Sequence, residues 1–197
     1  MELHAQILSP LFSILENIGP VSNELKKALS DKFEEQKILK GKTLLSEGEV
    51  CKSLWFLSAG LLRSYHDIGE KEITSRIMFT NHIVISAGSF FTQTPATESI
   101  EVLADTTVAR LSFSDLQDIY KSFPSFNYHT RIITEQYFAQ QEQRLYMLRK
   151  HDALSKYRYF LEHYAAFLQD IPQKYIASFL DMTPETLSRT RSRMRNK

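Results

Sequence analysis

Apolar residues recur every fourth position at Leu3, Ile7, Leu11 and Leu15, and again at Leu25, Leu29 and Phe33 beyond Pro20 and Ser22. That period predicts helices over residues 1 to 35. It changes near Ile38. From there to Leu111 the chain breaks into short β-prone runs at 43–45, 54–57, 61–65, 73–79, 83–85, 100–103 and 107–111. Gly41, Gly48, Gly60, Gly69 and Gly88 fall between or beside them, where tight turns or positive φ are needed. Asp67-Ile68-Gly69-Glu70 reads as a hairpin tip. Short strands with glycine punctuation predict an antiparallel barrel or jelly roll.

After Phe113 the period is helical again. Pro124 opens a stretch to Leu148 with neither Gly nor Pro, which as a helix would run about 35 Å. Its apolar residues, Ile132, Ile133, Tyr137, Phe138, Leu145, Met147 and Leu148, cover more than one narrow stripe. One face can pack on the β-roll while another meets a second copy of the helix. The plainer alternative is a helix packed only on its own domain. A second helix carries Leu154, Tyr157, Leu161, Tyr164 and Leu168 in steps of three and four, an apolar seam. A hinge is expected over 150–153. The predicted fold is α+β: an antiparallel β-roll with flanking helices over residues 1–120, a long helix over 121–150 and a small helical domain over 151–197.

The last of these units has the most specific spacing. Two short helices crossing steeply leave room for only a small side chain where they meet, and Ala177 holds that place. Ile176, Leu180, Met182 and Leu187 occupy the inward sites. Thr183-Pro184-Glu185 suits a helix start, with Thr as N-cap, Pro first in the helix and an acid in the first turn. Glu185, Ser188, Arg189 and Ser192 then share one outward face that can hydrogen-bond base edges, with Pro184 and Thr186 beside its N-terminal end. This is a helix-turn-helix pattern. Two positions fit less well: Asp181 stands where glycine is preferred for a left-handed turn, and Thr190 where a larger apolar residue is usual. An ordinary helical hairpin can carry the same spacing.

Charge sharpens this reading. The chain's net charge is +1, yet from Ile171 onward Lys174, Arg189, Arg191, Arg193, Arg195 and Lys197 face only Asp181 and Glu185, leaving the rest of the chain negative. Basic residues gathered just beyond a polar helix face suit phosphates, although a solvated terminal helix would look similar. Residues expected at DNA are Gln173, Thr183, Glu185, Thr186, Ser188, Arg189, Ser192, Arg191 and Arg193. Cys51 is the only cysteine, which rules out an internal disulfide framework or a thiolate cluster. Apolar runs are too short for a membrane span, and Glu2 stands where a secretory signal would be basic. A cytoplasmic protein with no membrane partner is expected.

Taken together, these segments resemble the Crp/Fnr family of bacterial transcription regulators over nearly the whole chain. Lys40-Gly41-Lys42-Thr43-Leu44-Leu45-Ser46-Glu47-Gly48-Glu49 looks like the family's opening strand and turn, and Trp55-Phe56-Leu57-Ser58-Ala59-Gly60 like the strand that follows. Ile176-Ala177-Ser178-Phe179-Leu180 with Met182-Thr183-Pro184-Glu185-Thr186-Leu187-Ser188-Arg189 is the most specific match. The resemblance implies a cyclic-nucleotide-binding-like sensor domain and a homodimer reading a pseudo-palindromic operator on double-stranded DNA. RNA polymerase is a further candidate partner. Glu185 and Arg189 match the family's base-contacting glutamate and arginine, a pairing suited to cytosine and guanine edges. Pro184 replaces an arginine that often precedes that glutamate. With the chain ending at Lys197, no wing is expected beyond the second helix.

The sensor pocket departs from the family. Members that bind cyclic nucleotides use a glycine-glutamate pair for the ribose and an arginine beside Ser or Thr for the phosphate. Here a gap-free placement puts Ile85-Ser86 and Ala96-Thr97 at those sites, and no arginine lies between His82 and Val108. A cyclic phosphate would lack its ion partner, so the cyclic-AMP site reads as lost. The remaining pocket residues are Ser86, Thr92, Thr94, Ala96 and Thr97, suited to a small neutral ligand. The effector is unidentified, and no cofactor or metal is expected. The histidines lack the spacing of a cupin metal site, and no nucleophile triad or P-loop is present, so an enzyme is not expected. The alternative function is a Crp-like protein-interaction module that has lost sequence-specific DNA binding.

Overall fold

The computed structural model describes residues 2–69, 71–149 and 152–195, with side chains from residue 7 onward. Glu70 of the hairpin tip, Lys150 and His151 of the hinge, Lys197 of the basic tail and the side chains of Leu3 and His4 lie outside the described residues. Two helices open the chain, α1 (Glu2–Ile18) and α2 (Asn23–Lys32). The strands are β1 (Glu34–Ile38), β2 (Thr43–Leu45), β3 (Ser53–Ile68), β4 (Lys71–Phe79), β5 (Ile83–Val84) and β6 (Ser99–Ser112), with a short α3 (Ala87–Thr92) between the last two. Then follow α4 (Phe113–Ser122), α5 (Phe126–Arg149), α6 (Ala153–Tyr164), a 3₁₀ turn at Ala165–Phe167, α7 (Gln173–Phe179) and α8 (Pro184–Arg195). No described helix is long and apolar enough to cross a membrane.

The strands form one antiparallel sheet in the order β1-β6-β3-β4, with β2 added on β6 and β5 on β3. The fold is therefore α+β with an antiparallel β-roll. It is built differently from the seven short strands the pattern predicts. Runs 54–57 and 61–65 are one strand, β3, and runs 100–103 and 107–111 are one strand, β6. The glycine read as a turn explains the merger. Gly60 sits inside β3 at φ +115, and a Cβ there would come within 2.1 Å of Thr106 Oγ1. The β3–β6 register slips on both sides of it. Only glycine allows this approach, so the strand bends and continues instead of ending. The predicted first helical region also stops short. Residues 34–38 form β1, which pairs with 106–110 of β6. Its Glu34-Glu35-Gln36-Lys37 run carries no apolar alternation because it is an edge strand.

Two apolar cores hold the molecule. One joins α1, α2 and α4 to the sheet through residues such as Leu8, Leu15, Leu29, Phe56, Phe90, Val108 and Phe126. The other gathers Phe160, Ile176, Ala177, Phe179, Leu180 and Leu187 from the C-terminal helices with Leu61, Ile77 and Leu103 of the sheet. The C-terminal helices thus pack on the roll directly. α7 lies along β4, where Ser178 Oγ accepts from Thr74 N at 2.8 Å and donates to Glu72 O at 3.1 Å. One hydroxyl satisfies two backbone groups of an otherwise open sheet edge.

α5 spans 24 residues and starts two residues after Pro124. Its inner face, with Ile133 and Tyr137, meets the roll. Tyr128, Phe138, Leu145 and Tyr146 remain exposed on it. Met147, one of the apolar residues read as available to a second copy, is buried within its own chain, and Ile133 packs against the first core.

Candidate functional site

Helices α7 and α8 are set by the small residues and caps that the spacing picks out. Ala177, Ile176, Leu180 and Leu187 are buried, and Met182 packs at the margin of their cluster. Asp181 takes φ +50, the left-handed conformation in which glycine is usual and Asp tolerated. Thr190 is buried at an apolar site because its hydroxyl donates to Thr186 O at 2.8 Å. Both misfits of the sequence pattern are accommodated locally.

Thr183 caps α8: its Oγ1 accepts from Thr186 N at 3.2 Å and donates to Thr186 Oγ1 at 3.2 Å. These two threonines are partly committed to the helix start. Glu185, Ser188, Arg189 and Ser192 are exposed, as are Arg193 and Arg195. The Thr183 hydroxyl and the free backbone of the first turn hold the Glu185 carboxyl below the usual carboxylate range, so it is ionised at neutral pH. On the other flank, Gln173, Ser188, Arg191, Ser192 and Arg195 line a cleft of 540 Å³ between α6, α7 and α8. A polar face with arginines on both sides can place donors and acceptors at base edges while its margins meet phosphates.

A second site lies where α5 crosses the roll. Ser86, Thr92, Thr94 and Thr97 share the wall of a polar cavity of 380 Å³. Ala96 does not; it is buried in the core, its backbone bonded to Glu49 and Gly48. Thr92 and Thr94 hydroxyls bond each other at 2.6 Å, and Ser89 Oγ donates to Thr94 O while accepting from Cys51 N. Burial pushes the Cys51 thiol pKa up, which keeps it protonated.

The residues that give this cavity its charge are ones the sequence placement misses. Arg76 enters from β4, Glu98 from the segment before β6, and Tyr137, Gln141 and Arg144 from α5. The 82–108 stretch itself supplies no arginine. Both guanidiniums come from elements outside the 82–108 stretch, and only the alternation of β4 and the inner stripe of α5 hint at them. Arg76 is already saturated: it pairs with Glu98 at 3.0 Å, donates to Ile85 O at 2.6 Å and to Tyr137 Oη at 3.2 Å, and reaches Ser64 Oγ at 3.1 Å. Arg144 has no acidic partner among the described residues.

Residues 35–123 match the family model of the cyclic nucleotide-binding domain. This segment thus resembles cyclic nucleotide-binding domains, and the chain as a whole shares its fold with several solved structures. Among solved structures, FixK2 from Bradyrhizobium japonicum is similar with a TM-score of 0.74 at 17% identity, over 83% of this chain and 85% of that one. A protein described as a transcriptional regulator of the Crp/Fnr family from Eubacterium rectale gives 0.68 at 21%, over 91% and 88%. The catabolite activator protein of Thermus thermophilus gives 0.55 at 17%, over 89% and 84%. A comparison with curated proteins finds no match.

Proposed function

We propose that this chain is a DNA-binding transcription regulator that acts as a homodimer, with residues 1–120 as sensor, 121–150 as dimerisation helix and 151–197 as DNA-binding unit. The observation that carries the reading is the exposed face of α8. Glu185, Ser188, Arg189 and Ser192 stand on a helix whose opposite side is buried, and arginines flank them. Glu185 and Arg189 are the base readers; Arg191, Arg193 and Arg195 meet phosphates. Dimerisation uses the outer face of α5, where Phe138 and Leu145 are exposed at a heptad interval. Selection from random duplexes with the full chain tests the reading. A pseudo-palindrome supports it; recovered pools without any enriched sequence refute it and leave the protein-interaction module as the better account.

A further inference from the structure

A cavity of 220 Å³ opens between β4, the turn after it, α5 and the end of α7. It borders the polar cavity beside Ser86 but faces the C-terminal helices, with Tyr164 and Phe179 in its wall. Asn81, His82, Gln136, Gln140, Gln141 and Arg144 line it, together with Arg76, and none of its lining residues is a carboxylate. Cations and amides with no acid among them form a lining suited to a negative guest.

Arg144 is the group without a partner. Its Nε is buried and makes no hydrogen bond among the described residues, and a terminal nitrogen reaches Phe179 O at a long 3.5 Å. Its Cζ lies 4.5 Å from the Phe179 ring centroid. Partial burial lowers its pKa, which marks a half-buried cation without a carboxylate partner among the described residues. The other groups complete a cradle. His82 Nδ1 accepts from Phe79 N, which leaves the ring proton on Nε2 as a donor. Burial drives the Tyr164 phenol pKa up to about 12, so it too remains protonated.

We propose that this cavity binds a small organic carboxylate, its head group on Arg144 and its body against Ile14, Met78 and Ile133. One unneutralised positive charge matches a monoanion, since Arg76 is balanced by Glu98 and His82 is kept neutral by burial. The volume falls below the roughly 300–1,000 Å³ of sites that enclose drug-sized ligands, which favours a small guest. A carboxylate also competes with the Phe179 carbonyl for the guanidinium. Its arrival releases the end of α7, a step whose consequence for DNA rests on the regulator reading, whereas the binding itself does not.

The full chain is titrated with acetate, butyrate, hexanoate and benzoate at constant ionic strength, with inorganic phosphate and sulfate alongside. Binding is read by calorimetry and by thermal unfolding. The expected result is a saturable rise in melting temperature with at least one carboxylate. Arg144→Gln should weaken that binding about tenfold or more, as loss of a charge-assisted hydrogen bond implies. Arg158→Gln, an exposed arginine on α6, should leave it intact. Arg144→Gln removes a half-buried charge that has no acidic partner among the described residues, and so should itself fold. No saturable response, an undiminished response in Arg144→Gln, or binding of phosphate in place of every carboxylate would overturn the assignment.

Discussion

The guanidinium of Arg63 on β3 lies 3.6 Å from the ring centroid of Tyr175 on α7. On its other side is Tyr65, at 4.1 Å, and its nitrogens bond Glu101 at 2.7 Å as well as Glu72. Arg63 is 1% exposed. A fully buried cation of the roll is therefore part of the surface on which the C-terminal helices rest. Arg63→Met should cost about 2–3 kcal/mol in urea unfolding, since it removes charge-assisted hydrogen bonds to Glu72 and Glu101, whose side chains keep partial access to solvent. Tyr175→Ala should cost less, about 1–2 kcal/mol, the range of a desolvated cation–π contact. A cost for Arg63→Met no larger than that for Tyr175→Ala would show that the ion pairs contribute nothing.

Ser178 offers a local probe of the same contact. Ser178→Ala removes the acceptor of the Thr74 amide and the donor to Glu72 O. Hydrogen exchange at the Thr74 amide should accelerate by more than tenfold, with little change in the first core. An unchanged rate would mean that α7 shields the edge of β4 by contact alone.

Two groups give acid sensitivity in separate windows. Burial lowers the pKa of His82 in the folded chain, while in the unfolded chain it titrates near its ordinary 6.5. The unfolded state then binds the extra proton, so stability falls as pH drops through about 6.5 and levels off below the folded value. For Asp115, hydrogen bonds from Lys32 and Ser112 hold the carboxyl below its usual range. Its contribution is present above its unfolded pKa of about 3.9 and is lost as pH falls through the lower folded value. Melting curves from pH 8 to 3 should show two declines; His82→Gln should remove the upper one only, and Asp115→Asn should shrink the lower one, to which the lowered carboxyls of Glu24, Asp152 and Glu185 also contribute.

The exposed face of α5 predicts which substitutions split a dimer. Phe138 is 66% and Leu145 47% exposed, so Phe138→Lys with Leu145→Lys should weaken association by about 2 kcal/mol or more while the protomer stays folded. Met147→Ala should instead destabilise the protomer by about 2–5 kcal/mol, because that side chain is buried in the second core. Light scattering and unfolding together separate the two. A double lysine variant that remains dimeric would place the interface elsewhere.

The helices were legible wherever a period ran for several turns uninterrupted, as along α5, and where caps were specific, as at Thr183 and Pro184. The roll's strand count was not, because Gly60 looks like a turn residue and serves instead as the point of closest approach to Thr106. β1 was hidden by its polar edge position. The pocket threonines could be named from the chain, but Arg76 and Arg144 could not. Each belongs to a different element, and only folding brings β4 and α5 to one cavity. The same limit explains Met147: an apolar residue on a long helix does not reveal whether its neighbour is its own chain or a second copy.

The most direct test of the DNA-reading account compares Arg189→Ala with Arg193→Ala on an operator selected from random duplexes, titrated at several salt concentrations. Both arginines are exposed on α8, so neither substitution should perturb the fold. The selected site should be a pseudo-palindrome with half-site centres about 34 Å apart. Arg189→Ala should lose roughly 1–3 kcal/mol on that site and relax preference at one base pair in each half. Arg193→Ala should lower affinity alike on every sequence and reduce the salt slope by about one unit per lost contact. Equal losses for the two variants on selected and scrambled DNA would contradict Arg189 as a base reader, and with it the central claim.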